Sequence, residues 1–213
     1  MQDIVRVCWT ATSLETPRIW RNCSRCDART PFVCSGKFRV NAHGKRIDAW
    51  LIYRCVQCDQ AWNYPILERT PLTEIDPSHL RALSENCGRL AERHAFDVAR
   101  LRRYSDQIEE RDRVAVQARL LGQCDGEPRT LVVSTAVPQP CQIRLDRLLA
   151  SGLGLSRAAV QRMHDAAVLI VSPPSRAALR QPVRDGQTVT VDLRSVRSAS
   201  GLLSAALLDR CPN

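Results

Sequence analysis

Runs of apolar and β-prone residues at positions 38–42 and 47–53 flank Asn41-Ala42-His43-Gly44, whose turn chemistry predicts a β-hairpin. A further strand is expected over residues 61–67, ended by Thr70-Pro71. The period then changes. Leu80, Leu83, Cys87, Leu90, Val98 and Leu101 recur on one helical face. Asp76-Pro77-Ser78 before them supplies a cap and a proline at the first helical position. Gly122 and residues 124–128 read as a linker. Beyond it, residues 130–137 predict a strand, and residues 143–150 a helix with Leu145, Leu148 and Leu149 apolar. Ser156 is a good cap for a second helix through Arg157, Val160, Arg162 and Met163. Residues 168–171 and 188–193 read as strands, the second after an Asp185-Gly186 turn, and residues 198–210 as a last helix.

Composition divides the same pattern into three. Eight of the ten aromatic residues lie before position 66. Residues 71–128 carry nine basic and eleven acidic side chains, whereas residues 129–213 carry eleven arginines against five acids. The expected organisation is therefore α+β: a β domain at 1–70, a helical connector at 71–128, and a module of two helices plus a β-hairpin with a C-terminal helix at 129–213. A chain of 213 residues is long enough to bury a sizeable core.

The formal charge of +9 and the pI near 9.4 suit an anionic partner such as nucleic acid. Only Lys37 and Lys45 are lysines, however, and an arginine bias of this kind also follows from gene base composition. The first ten residues lack a basic segment followed by an apolar one, and no apolar run reaches the roughly 18 residues of a membrane span. A cytoplasmic protein is expected, in which ten cysteines read as metal ligands or redox groups before disulfides.

Two pairs carry that chemistry. Cys23-Ser24-Arg25-Cys26 and Cys55-Val56-Gln57-Cys58 are Cys-x-x-Cys turns separated by 28 residues that contain the hairpin. Each turn can aim two thiolates at one ion, and two turns complete a tetrahedron, so a structural zinc ion on Cys23, Cys26, Cys55 and Cys58 is expected. A thioredoxin-like redox pair is the competitor, but it calls for one such motif beside a βαβ pattern. Cys34 and His43 are alternative ligands, each alone; Cys8, Cys87, Cys124, Cys141 and Cys211 have no pairing logic and read as small packed residues. Trp20, Trp50 and Trp62 can stack on nucleobases, but covering a small sheet is the simpler role.

Three segments in the last third resemble the S4-like RNA-binding fold in their order: Arg144-Leu145-Asp146-Arg147-Leu148-Leu149, then residues 155–162 (Leu-Ser-Arg-Ala-Ala-Val-Gln-Arg), then residues 182–189 (Pro-Val-Arg-Asp-Gly-Gln-Thr-Val). That fold occurs in a small-subunit ribosomal protein, in pseudouridine synthases and in tyrosyl-tRNA synthetases. The resemblance covers residues 142–193 and implies that Arg157 and Arg162 meet RNA phosphates, with Arg144 and Arg147 joining from the first helix. The chain departs from the family at Ala167, where a glycine is usual, and at Val171-Ser172-Pro173, where Val-Asn-Gly is usual. A longer insertion at 174–181 follows, in which Arg176 and Arg180 stand as replacement contacts. Residues 37–42, 48–55 and 144–149 also resemble a bacterial family catalogued as domain of unknown function 1062, a likeness that extends over the whole chain and implies no activity.

Function is then weighed between three classes. The leading expectation is a zinc-containing protein that binds structured ribosomal or transfer RNA. The alternatives are a DNA-associated regulator using the zinc ribbon with Arg21, Arg25, Arg29, Arg39 and Arg46, and an interaction adaptor whose helical connector binds protein. An enzyme has the least support, and no small-molecule substrate is evident. There is no Gly-x-Ser-x-Gly, no phosphate-cradling glycine loop and no His-Glu-x-x-His, and His43, His79, His94 and His164 are scattered.

Overall fold

The computed structural model describes residues 3–122, 126–175 and 177–207. Two compact units make up the chain: residues 1–15 with 111–213, and residues 16–110 between them in sequence. The divisions thus fall elsewhere than at 70 and 128. Strand β1 (Ile4–Ser13) belongs to the first unit, and its Val5, Val7, Trp9 and Ala11 are buried in strict alternation.

In the unit of residues 16–110, one antiparallel sheet is built from β2 (Arg18–Cys23), β3 (Ala28–His43), β4 (Arg46–Cys55) and β5 (Ala61–Pro71), with the short β6 (Ile108–Glu109) against β2. The expected hairpin is β3–β4, tightened to a two-residue turn in which Gly44 adopts φ +62. The helical stretch is three pieces: α1 (Pro77–Ser84), α2 (Gly88–Ala95) and α3 (Val98–Leu101). Asp76 caps α1 as expected, accepting from the N–H groups of Ser78 and His79. The break after α1 has a local cause. Asn86 enters the left-handed region, and the Cys87 N–H returns to the Ala82 carbonyl, closing the helix.

These helices pack onto the sheet they follow. Leu83, Leu90, Ala91, Ala95 and Leu101 pack on Ile19, Phe38, Leu51, Tyr53 and Tyr64 of the sheet and form its core. Trp62 joins Tyr53, Tyr64 and Tyr104 in an aromatic cluster capped by the Arg21 guanidinium, 4.0 Å above its ring. His94, packed edge-on to Phe38, is held neutral: burial first, then Arg100 and His79, bring its pKa down to about 4. A histidine depressed in the folded state loses stability as pH falls from its unfolded value near 6.5 towards 4. The expected result is that His94→Gln flattens acid destabilisation in this window while leaving the melting temperature at pH 8 little changed; melting curves at each pH check it.

The other unit contains β7 (Val114–Gly122), β8 (Thr130–Ala136), α4 (Leu145–Leu153), α5 (Arg157–Asp165), β9 (Leu169–Ser172), β10 (Thr188–Asp192) and α6 (Ala199–Leu207). Its sheet runs β7-β1-β8-β10-β9, with β1 parallel to β8 and the other pairs antiparallel. The supposed connector therefore holds a strand, β7, whose apolar Val114, Val116 and Ala118 keep a period of two. Trp9 lies at the centre of this unit, 1 % exposed, and its indole N–H donates to the Ala206 carbonyl at 2.9 Å. Its ring fills the space left by the missing side chain of Gly152 on α4. The helix expected at 198–210 is seen over Ala199–Leu207, and residues 208–210 lie outside the described residues. No helix among the described residues is long and apolar enough to cross a membrane.

Candidate metal centre and basic face

The strand pairing that makes the sheet of residues 16–110 also carries the cysteines. Cys23 ends β2 and Cys26 lies in the turn to β3; Cys55 ends β4 and Cys58 lies in the turn to β5. Phe32 pairs with Cys55 across β3 and β4, and the Val56 N–H donates to the Pro31 carbonyl at 3.1 Å, tying the second turn to the first strand pair. In both turns the residue after the second cysteine is an aspartate in the left-handed region, Asp27 at φ 50 and Asp59 at φ 62. Aspartate tolerates that conformation better than most side chains, and it turns the chain back into the next strand. Arg25 donates to the Cys58 carbonyl, linking the two turns.

The four sulfurs converge, all lying within 4.8 Å of one another. Cys23 Sγ and Cys58 Sγ are 3.4 Å apart, and Cys26 Sγ and Cys55 Sγ 3.9 Å. A tetrahedron of thiolates with bonds of about 2.3 Å to a central ion has edges of about 3.8 Å, so the set can hold one metal ion. Cys23 and Cys55 are buried, Cys26 and Cys58 partly so. No other such group exists among the described residues, and Cys34 and His43 are not part of this one. Cys34 instead accepts from the Gly36 N–H where β3 bulges, and His43 sits exposed at the end of β3.

Two of the four thiols sit where their surroundings favour the thiolate. For Cys55 burial pushes the pKa up, but the buried Thr30 hydroxyl 3.2 Å away and the N–H groups of Gln57 and Cys58 bring it down to about 6. Burial likewise raises Cys23, and the N–H groups of Cys26 and Arg25 outweigh it. Cys26 goes the other way, to about 12, because its bond with Cys58, its burial and its bonds with Cys23 and Cys55 all favour the protonated thiol. A divalent cation held among them would let all four sulfurs ionise.

The arginines singled out in the last third are placed differently from one another. Arg144, which precedes α4, and Arg157, the first residue of α5, come together on a single carboxylate, Asp146. Arg147 pairs instead with Asp112. Arg162 lies exposed on α5, and Arg180 is exposed in a short 3₁₀ turn, Ala178–Arg180. Arg176 lies outside the described residues. Ser156 caps α5 by accepting from the Ala159 N–H, and Ala167 ends it in the left-handed region at φ 56, with the Val168 N–H on the Met163 carbonyl.

Four contributing residues escaped the sequence reading. Thr30 gave no signal, being one threonine among several in a strand. The repeated aspartate after each Cys-x-x-Cys was legible as a pattern. Asp146 gave no signal either, since an acid in the first turn of a helix is an ordinary placement. A family model, described as "Protein of unknown function (DUF1062)", matches residues 40–173. No curated protein matches the chain, and no solved structure matches it.

Proposed function

We propose that this chain, which belongs to the family of proteins of unknown function DUF1062, holds one structural zinc ion in a ribbon-like module and binds structured RNA through an S4-like face. Zinc is the ion that best suits four converging thiolates with no open position, and such closed sites stabilise folds instead of turning over substrate. Elemental analysis of the purified protein distinguishes zinc from iron, the other metal that accepts this ligand set.

The observation that carries the RNA reading is the succession of α4, α5, β9 and β10, with Arg157 opening α5 and a left-handed residue, Ala167, closing it. The S4-like pattern has a glycine at that place, and the backbone here takes the conformation glycine favours although the residue is alanine. Arg162 and Arg180 add exposed charge to the same unit. Guanidinium groups on phosphates release counterions, so affinity should fall steeply with salt. A double substitution Arg157→Ala/Arg162→Ala is expected to weaken binding of a folded transfer RNA by at least about tenfold and to flatten the salt slope by about two. Filter binding from low to high salt reads both. Equal affinity of the variant and the unaltered chain would refute the face. Tighter binding of duplex DNA would point to the DNA-associated reading.

A further inference from the structure

Asp146 is the one carboxylate among the described residues that is buried, 7 % exposed, although it sits in a helix next to two arginines. Its Oδ2 accepts from Arg144 Nη2 at 2.7 Å and from Arg157 Nη2 and Nε at 2.9 and 3.2 Å. Its Oδ1 is buried and has no hydrogen-bond partner among the described residues. The two guanidinium groups that meet on this oxygen keep 42 % and 55 % of their side-chain surface exposed. Each has five N–H donors, and the carboxylate takes one from Arg144 and two from Arg157. One buried anion therefore holds two cations side by side at the surface, with donors left over.

We infer that Asp146 is a positioning residue: it fixes Arg144 and Arg157 as a two-guanidinium cradle for a backbone phosphate of the bound RNA. This rests on the RNA reading above. A free arginine surrenders much rotamer freedom when it binds, and the carboxylate has already removed that freedom. Two planar forks at fixed places suit the tetrahedral oxygens of a phosphate, which single flexible lysines do not match. The arrangement also explains why an acid sits in a face that binds an anion. Its burial keeps it out of contact with the phosphate, while its bonds aim the two arginines.

The test sets position against charge. Asp146→Asn keeps the shape of the side chain and makes the unit more basic, so charge alone predicts equal or tighter binding of a transfer RNA. Positioning predicts binding weaker by about tenfold, as for the loss of charge-assisted bonds, and a salt slope shallower by about one, with the melting temperature recorded alongside. Arg157→Lys is the second variant and serves if Asp146→Asn does not fold. It keeps the charge but cannot make the two-pronged bond, and the same loss in affinity and slope is expected. Variants that bind as tightly as the unaltered chain overturn the positioning role and leave the RNA reading standing. If the unaltered chain itself does not bind transfer RNA with salt dependence, both fall together.

Discussion

Cys55→Ser is expected to abolish metal retention and to unfold most of the sheet at residues 16–110 well below its ordinary melting temperature. Cys55 is 3 % exposed, receives the Thr30 hydroxyl at 3.2 Å and lies 3.9 Å from Cys26 Sγ, so its loss removes both a ligand and a buried hydrogen-bond partner. Structural zinc sites bind with apparent free energies of about 10–16 kcal/mol in small peptides, and binding is coupled to folding. The cluster that includes Cys23 and Cys55 also holds Ile19, Phe32, Leu51, Tyr64 and Leu90, so part of the stability survives. A loss of at least about 3 kcal/mol corresponds to a fall of about 12–24 °C for a unit of this size. Metal per chain and melting curves with and without a chelator measure it. Cys34→Ser, outside the sulfur set, should keep its metal. If Cys55→Ser retained a full complement of metal, the four-sulfur centre would be refuted.

The second large effect concerns the other unit. An alanine in place of a helical glycine ordinarily stabilises by about 1 kcal/mol. At Gly152 the sign should reverse, because a methyl group there would lie 2.7 Å from both Cζ2 and Cζ3 of Trp9. Overpacking of this kind costs about 1–3 kcal/mol. Trp9 cannot withdraw, since it is 1 % exposed and anchored to the Ala206 carbonyl. Trp9→Ala should cost about 3–5 kcal/mol, as for the loss of any large buried ring. The combination Trp9→Ala/Gly152→Ala should be more stable than the sum of the two single changes, a coupling that denaturant melts resolve. Strict additivity would mean that Gly152 does not make room for the indole.

The same indole shows where sequence reasoning reached its limit. The alternation of Val5, Val7, Trp9 and Ala11 announces a strand, but nothing local says that its neighbours are β7 and β8, more than a hundred residues away. Composition separated the chain at 70 and 128 because aromatic and acidic residues cluster there, whereas the units are defined by pairings that composition does not encode. Local signals fared better. Asp76 caps α1, Ser156 caps α5, and the hairpin turns at Gly44, each through chemistry confined to a few neighbouring residues. The convergence of Cys23, Cys26, Cys55 and Cys58 was legible for a similar reason, since two short turns and one hairpin suffice to bring the sulfurs together. The sharing of Asp146 by Arg144 and Arg157 was not, because it depends on how α4 packs against α5.

The most direct test of the account is crosslinking in cells followed by RNA recovery, comparing the full chain with its Arg157→Ala/Arg162→Ala form. The account predicts a defined structured RNA recovered with the unaltered chain and lost with the variant, while both retain their metal. Recovery of nothing above background with either, or of the same RNA with both, would contradict it.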